Sequence, residues 1–257
     1  MKKYFHNFAP FFYCAALNNY FTGKLQFNFY ERFYFSKGIY KKLNKDLTAY
    51  YSSRAKEYEE IYSKPERQED LKKIAEILQE FFKGKNLLEI ACGTGYWTER
   101  IAETARSIIA SDISESVLEV AKSKSYPNNN VSFRKQDLFS FKPEKKFDNL
   151  FGGFIWSHIK LQELDDFILQ VNSHVKNNGS IVFIDSNFIE GSNLPVTYED
   201  ESGNTYQTRK LKDDSTHLVL KNFPSEKFVY EKLYEKAYEI KFINLKYYWL
   251  IIYKNKN

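Results

Sequence analysis

Residues 87–100 read LLEIACGTGYWTER, and this stretch decides the fold. A short apolar run, interrupted only by Glu89, leads into a segment with two glycines and then into residues that can form a helix. This order predicts a strand, a turn and a helix. Gly93 and Gly95 can adopt positive φ and let a ligand approach the backbone where a Cβ atom would collide. We therefore expect the main ligand of the protein to bind at this turn.

Strands and helices alternate through most of the chain around this stretch. Apolar residues at helical spacing predict helices at residues 46–62, 65–82, 114–124 (capped by Ser114), 162–175 and 225–236. Apolar runs predict strands at residues 87–90, 107–112, 131–136, 146–154 and 180–185, the last after a turn at 176–179. Residues 238–255 predict two strands joined near Asn244, too close in sequence for a parallel connection. The pattern predicts an α/β fold: a doubly wound, mostly parallel seven-stranded sheet with an antiparallel last strand and helices on both faces.

The net charge of +5 is unevenly distributed along the chain. Residues 1–45 contain eight Lys or Arg and one acid, a charge of +7, which leaves about −2 on the other 212 residues. A broad phosphate-binding face needs clustered Lys and Arg. The charge distribution therefore argues against DNA as a partner of the main body.

The cysteine content and the apolar runs suggest where the protein works. The chain has two cysteines, Cys14 and Cys92, and the second lies in the glycine turn, so we expect no disulfide framework and a reducing, cytoplasmic setting. The apolar run at residues 8–17 is half of the ~20 residues that a spanning helix needs, so we expect no stable membrane insertion. The sequence has no His/Cys cluster with metal-ligand spacing, and we expect no metal.

Two segments depart from the alternating pattern. Residues 1–45, fifteen of them Phe or Tyr, form an aromatic and basic extension that is either an arm for the body, a membrane or a partner, or an extension without a role. Residues 46–257 form the main domain, and residues 186–224 are a long insertion within it. Two alternating segments, residues 205–211 and 216–222, have turn residues at Ser202-Gly203-Asn204 and Asp213-Asp214, and they predict a small β-hairpin there. Because the insertion leaves from the C-terminal edge of the sheet, we expect it to lie over the site as a lid.

Acidic residues recur at the ends of the predicted strands. Glu89 lies inside the first strand and begins the sequence E-x-A-C-G-T-G, Asp112 closes the second strand, and Asp137-Leu138 closes the third. With this set, residues 46–257 resemble the class I S-adenosylmethionine-dependent methyltransferases of the small-molecule type. Thr98 stands where the dinucleotide-binding fingerprint has its third glycine. The resemblance implies S-adenosylmethionine as the cofactor.

The resemblance also implies a role for each acid. Asp112 would accept hydrogen bonds from the ribose hydroxyls, Asp137 would accept one from the adenine amino group, and Glu89 would serve the ammonium end of the cofactor. The residues themselves also allow a capping acid at Asp112, a loop acid at Asp137 and a structural acceptor at Glu89. The implied cofactor-binding residues are Glu89, Ala91, Gly93, Gly95, Asp112, Ile113, Asp137, Leu138, Gly153, and, on an N-terminal helix that closes over the cofactor, Tyr51 and Arg54.

The segment after the fourth strand should meet the methyl acceptor. It reads Phe154-Ile-Trp-Ser-His158 and lacks the Asn/Asp-Pro-Pro-Tyr/Phe of methyltransferases that act on adenine amino groups or cytosine, which argues against a DNA base. His158 can act as a general base or as a substrate anchor, or it can be a histidine satisfied by neighbouring backbone. The remaining candidate substrate residues are Trp156 and, from the insertion, Glu190, Tyr206 and Arg209, with His217 and Asn222 as further wall residues.

These observations together favour an S-adenosylmethionine-dependent methyltransferase that modifies an O, an N or a carboxylate of a small molecule. A protein or RNA methyltransferase is the alternative within the class. An NAD(P)-dependent oxidoreductase and a non-catalytic methyltransferase-like binding domain are the alternatives outside it. Neither the acceptor nor the oligomeric state follows from the sequence.

Overall fold

The structure is a computed structural model that describes residue 50, residues 58–211 and residues 214–256. The predicted N-terminal extension lies outside the described residues, as does most of the predicted helix at residues 46–62. Within that helix, Tyr50 is helical, but Tyr58–Tyr62 forms a 3₁₀ helix instead of an α-helix.

The centre of the described residues is a seven-stranded sheet. Its strands are β1 (Asn86–Ile90), β2 (Ser107–Asp112), β3 (Val131–Lys135), β4 (Phe147–Gly153), β5 (Val175–Ser186), β9 (Ala237–Asn244) and β10 (Tyr248–Asn255). They lie in the order β3-β2-β1-β4-β5-β10-β9, and β10 is antiparallel to both of its neighbours. The other neighbouring pairs are parallel. The predicted topology is confirmed, and the strand order reverses between β1 and β4, where ligands of such sheets bind.

Helices cover both faces of this sheet. They are α1 (Gln68–Phe82), α2 (Tyr96–Ala102), α3 (Glu115–Lys122), α4 (Leu164–His174) and α5 (Glu226–Leu233). Because successive strand residues point to opposite faces, Leu87 packs in the core under α1 and α2, whereas Leu88 packs in the core that includes α4 and α5. Glu89 shares the face of Leu87. In the described part of the chain, no helix has the length and apolar character required to cross a membrane.

The insertion forms a second, three-stranded antiparallel sheet. Its strands are β6 (Tyr198–Glu199), β7 (Thr205–Lys210) and β8 (Thr216–Leu220). The predicted hairpin corresponds to β7 and β8, and the short β6 adds a third strand. Asn222 fastens this sheet to the segment after β4, because its amide nitrogen donates to the carbonyl of Ser157 at 2.8 Å and its side chain donates to that of Ile159 at 3.0 Å.

Two local predictions are wrong. Ser114 stands at the start of α3, but its hydroxyl accepts no capping hydrogen bond from the helix; it lies 3.0 Å from the Ser116 hydroxyl instead. The predicted turn at residues 176–179 belongs to β5, which begins at Val175. There the pairing with β4 is irregular and Asn178 has φ of 64°, so the turn residues produce a distortion within the strand rather than a break before it.

Candidate active site

The turn between β1 and α2 lies at the C-terminal edge of the sheet. Gly93 and Gly95 have φ of 56° and 80°, and Ala91 has φ of 49° although it carries a Cβ atom. A Cβ atom on Gly95 would lie 2.8 Å from the Tyr126 hydroxyl and 3.1 Å from Cβ of Ala121, so this position requires glycine. A left-handed alanine costs free energy and is held only when the surroundings enforce it, as they do at binding sites.

Asp112 ties the end of β2 to this turn. One carboxylate oxygen accepts from the amide of Gly93 at 3.0 Å, and the other accepts from the amide of Ser114 at 2.9 Å. Burial raises the pKa of Asp112, and the backbone amides of Ser114, Gly93 and Ile113 act in the opposite direction. A carboxylate has about four lone-pair positions, so Asp112 can still accept from a ligand at the sheet edge.

Glu89 lies directly behind the turn with 2% of its surface exposed. Its Oε2 atom is buried and has no hydrogen-bond partner among the described residues. Burial raises the pKa of Glu89 from its ordinary value of 4.5 to about 8. A buried polar atom without a partner is costly in a folded protein and marks a position where a ligand can supply the missing donor.

The remaining sequence-predicted cofactor residues follow β2 and β3. Ile113 is 39% exposed, so an apolar surface lies beside Asp112. Asp137 accepts a hydrogen bond from the amide of Phe139 at 3.0 Å, and the carbonyl of Leu138 accepts one from the Gln170 side chain at 3.3 Å. Both residues are half-buried. Their bonds fix the loop after β3 at the same edge as Asp112.

The segment Tyr58–Tyr62 lies against the glycine turn. The Thr94 hydroxyl donates to the Glu59 carboxylate at 2.9 Å, and the ring of Tyr62 stacks on that of Tyr96 with centroids 3.6 Å apart. The C-terminal part of the predicted N-terminal helix therefore does contact the turn. Tyr51 and Arg54 lie outside the described residues.

A cavity of about 350 Å³ adjoins the turn on the side of β4. It begins where β4 ends: Gly153 is followed by Phe154, whose φ is 58° and whose ring lies 5.9 Å from that of Tyr62. Both rings line the cavity, and Tyr62 also stacks on Tyr96 directly after the glycine turn, so we call Tyr62 and Phe154 the aromatic wall of the cavity. The lining residues are Glu60, Ile61, Tyr62, Lys64, Arg67, Phe154, His158, Ser186, Ser192, Asn193, Leu194, Gln207, Arg209, Lys221 and Tyr248.

His158 lines this cavity, as the sequence suggested for an acceptor-facing residue. Its Nδ1 lies 2.6 Å from the carbonyl oxygen of Leu220, and a carbonyl can only accept, so Nδ1 carries the proton. Burial and the positive charges of Lys221 and Arg209 lower the pKa of His158 well below its ordinary value. The imidazole is therefore neutral at neutral pH.

Lys221 reaches the cavity from the end of β8. Its ammonium donates to Asp185 at 2.7 Å and to the Ser157 hydroxyl at 2.6 Å. Burial lowers the pKa of Lys221, and the Asp185 carboxylate opposes that shift. The pair joins β5, the segment after β4 and the insertion at one point.

Only some of the candidate substrate residues line the cavity. Arg209 lines the cavity. Trp156 does not, because it is 1% exposed and packs edge-on against Phe167, Phe183 and Trp249, so the prediction that it contacts substrate is wrong. Glu190 is exposed and outside the lining set, and Tyr206 is buried in the small sheet, where its hydroxyl donates to Asp200 at 3.1 Å.

The two further wall candidates also have other contacts. Asn222 fastens the insertion to the segment after β4, and His217 lies with its ring 5.4 Å from that of Tyr50. Neither belongs to the set of residues that lines the cavity. We therefore assign both to the packing of the insertion.

Comparison with known protein families agrees with this geometry. The sequence model of a family described as a methyltransferase domain matches residues 87–179, from the glycine turn to β5. The matched segment is therefore similar to methyltransferase domains.

Named relatives and solved structures are similar to the methyltransferase domain. A malonyl-[acyl-carrier protein] O-methyltransferase of Ilyobacter polytropus is 30% identical over 164 residues, which are 59% of this chain and 59% of the relative. A ubiquinone biosynthesis O-methyltransferase of Pelagibacter ubique is 31% identical over 103 residues, 40% of this chain and 42% of the relative. The chain thus spans about half the length of such curated relatives.

The fold of the domain also matches a solved structure closely. A complex of DhpI with S-adenosylhomocysteine has a TM-score of 0.69 at 24% identity, covering 83% of this chain and 97% of that one. At this identity the likeness establishes the fold.

Several cavity residues of the methyltransferase domain were not predicted from the sequence. Arg67 follows Pro65 at the start of α1, and Lys221 ends the apolar alternation of β8. The only signal at Lys221 was a charged residue directly after apolar strand residues. Ser192 and Gln207 gave no signal, because a short polar residue in a long insertion resembles any other loop residue.

Proposed function

We propose that this chain is an enzyme that transfers a methyl group from S-adenosylmethionine to an oxygen atom of a small molecule. The observation that carries the proposal is the hydrogen bond from the Gly93 amide to Asp112, next to a cavity that begins at Phe154. This bond keeps the Asp112 carboxylate, a hydrogen-bond acceptor, beside the glycine turn, at the point where strand order reverses. The cavity supplies room for an acceptor beside the aromatic wall of Tyr62 and Phe154.

The residues at the turn fit the cofactor. The Asp112 carboxylate suits the ribose hydroxyls, and the exposed side chain of Ile113 suits one face of adenine. Asp137 and the backbone of Leu138 suit the adenine edge. The Oε2 atom of Glu89 has no hydrogen-bond donor among the described residues. The ammonium end of the cofactor, or a group bound to it, can supply that donor. Gly153 packs against the ring of Trp97, where a Cβ atom would lie 3.1 Å from the indole, and its backbone remains a proposed contact of the cofactor.

When bound, the cofactor supplies a methyl group already activated by its sulfonium. The protein then contributes alignment of the acceptor and exclusion of water, which together account for much of the rate in such displacements. The aromatic wall of Tyr62 and Phe154 suits both tasks. His158 is neutral, so it can accept a proton from an acceptor hydroxyl, and we propose it as the residue that orients or deprotonates the acceptor.

The choice of an oxygen acceptor rests on the relatives that act on oxygen, and the choice of a small molecule rests on the cavity. A volume of about 350 Å³ is in the range of small-molecule pockets. The insertion contributes Ser192, Gln207 and Arg209 to the lining, and we propose that it acts as the lid of the acceptor site. Tyr51 and Arg54 remain proposed cofactor contacts, and a cytoplasmic location remains a proposal from the cysteine content.

Titration calorimetry with S-adenosylhomocysteine and, separately, with NADH tests the proposal. We expect S-adenosylhomocysteine to bind and NADH to give no heat. Incubation with methyl-labelled S-adenosylmethionine and fractionated small-molecule extract should then label a base-sensitive ester or an ether. Binding of NADH without binding of S-adenosylhomocysteine would contradict the proposed function.

A further inference from the structure

The cavity beside Phe154 is rich in positive charge. Four of its lining residues are cationic, Lys64, Arg67, Arg209 and Lys221, and one, Glu60, is acidic. By contrast, residues 46–257 taken together have a net charge of about −2. The positive charge is therefore a property of this cavity.

Arg67 is the most unusual of the four. Only 7% of its surface is exposed, and no carboxylate lies within ion-pairing distance of it among the described residues. Its guanidinium donates to the hydroxyl and the carbonyl of Ser192, both at 3.0 Å, and lies 5.5 Å from the ring centroid of Tyr247. Burying a charge is costly, and the carboxylate that acts on Arg67, Glu66, lies on the exposed side and reaches it only through the Ser192 hydroxyl. A cation held in this way at a cavity wall suits an anion that enters the cavity.

The neighbours of Arg67 strengthen this arrangement. The Lys64 ammonium also donates to the carbonyl of Ser192, and the Ser192 hydroxyl donates to the exposed Glu66 at 2.7 Å. Ser192, on the insertion, therefore holds two cations of the main domain at the mouth of the cavity. Glu66 faces solvent and takes up the serine hydroxyl rather than the guanidinium.

Arg209 and Lys221 also line the cavity. The Arg209 guanidinium donates to the side-chain oxygen of Gln207 at 2.9 Å, which restrains its position. Lys221 is neutralised by Asp185. Among the described lining residues, the remaining cations are Lys64, Arg67 and Arg209.

We propose that the cavity binds its ligand through an oxyanion, either a carboxylate or a phosphoryl group, held by Arg67, Lys64 and Arg209. A guanidinium presents its N–H groups as a planar fork that matches the two oxygens of such a group. As the methyl acceptor, this ligand is a small organic acid. That last step rests on the proposed function, whereas the anion site itself does not.

The first test is binding of anions to the full-length wild-type protein. Calorimetry is carried out with inorganic phosphate, with malonate and with the uncharged malonamide, with and without S-adenosylhomocysteine. We expect phosphate or malonate to bind at least ~10-fold more tightly than malonamide, since hydrogen bonds to charged groups are the stronger ones, and the binding to weaken as salt is raised. Tighter binding of phosphate indicates a phosphoryl acid, and tighter binding of malonate a carboxylic acid. Equal, weak binding of all three overturns the proposal.

The second test removes the cations individually. Arg209→Gln and Lys64→Gln should each weaken binding of the preferred anion by ~10-fold, because each removes a charge-assisted hydrogen bond. Arg106→Gln is the matched control, since Arg106 is exposed and remote from the lining, and should bind as wild type does. Circular dichroism and the affinity for S-adenosylhomocysteine check that each variant is folded. Unchanged anion affinity in both folded lining variants overturns the proposal.

The same titrations separate this inference from the proposed function. If S-adenosylhomocysteine binds but neither anion does, the anion site is wrong and the methyltransferase assignment stands. If an anion binds in the cavity but S-adenosylhomocysteine does not, the anion site stands and the methyltransferase assignment is wrong.

Discussion

The Asp112 carboxylate accepts a hydrogen bond from the Gly93 amide at 3.0 Å. These residues end β2 and form the turn after β1, two elements that are paired in parallel. The bond therefore couples the shape of the glycine turn to the position of the acid that is proposed to bind ribose. A substitution at Asp112 should therefore remove a proposed ligand contact and loosen the turn at the same time.

We expect Asp112→Ala to weaken binding of S-adenosylhomocysteine by at least ~10-fold, because hydrogen bonds to a charged acceptor are worth about 1.5–3 kcal/mol each. Asp112→Asn keeps an oxygen for the Gly93 amide and should fall between the alanine variant and wild type. Calorimetric titration of the three proteins measures the series. An alanine variant with wild-type affinity would remove Asp112 from the cofactor site.

The free energy of unfolding should depend on pH through the ionisation of Glu89. Its pKa is raised to about 8 in the folded state, against 4.5 when exposed, so the folded state holds a proton that the unfolded state loses between these values. Stability due to Glu89 is therefore full below pH 4.5 and falls as the pH rises to about 8. Each unit of pKa difference is worth about 1.4 kcal/mol.

Glu89→Gln, which stays uncharged, should accordingly be more stable than wild type at pH 8 and closely similar at pH 4.5. Urea unfolding of both proteins at the two pH values measures the difference. Glu99→Gln, on a half-buried residue of α2, serves as the control for loss of one acid. A glutamine variant with the same stability difference at both pH values would show that burial of Glu89 does not control its ionisation.

Trp156 should behave as a core residue. It is 1% exposed and packed among aromatic rings of β5 and α4, so Trp156→Ala should lower the free energy of unfolding by about 3–5 kcal/mol. Trp156→Phe keeps an aromatic ring in place and should cost less. Denaturant unfolding gives both values. A marginal loss for the alanine variant would mean that the side chain does not fill the core.

The pH dependence of turnover with an identified acceptor should reflect the lowered pKa of His158. Burial and nearby cations lower its pKa well below 6.5, so it stays neutral as the pH falls through 6.5. We expect kcat/KM to be retained across that region instead of falling there. His158→Gln should reduce kcat while leaving the affinity for S-adenosylhomocysteine within a factor of two. Full turnover in the folded variant would leave His158 a structural residue.

Features that depend on residues adjacent in the chain could be predicted from the sequence, whereas features that depend on distant residues could not. The strand, turn and helix at residues 87–100 were predictable, because φ at Gly95 and the apolar spacing of β1 and α2 are set by residues adjacent in the chain. Asp112 and the antiparallel β10 were predictable for the same reason. The burial of Trp156 was not predictable, because the direction of its side chain depends on the orientation of the short 3₁₀ helix that contains it.

The sequence by itself determined the class of fold and the position of the glycine turn. The tertiary structure alone decided which residues line the cavity beside Phe154. Arg67, Ser192 and Lys221 are separated by more than 150 residues from first to last, and none of them lies in a recognisable motif. They meet because the insertion docks through Asn222 onto the segment after β4. Such a meeting depends on packing between distant elements, which local residue patterns do not encode.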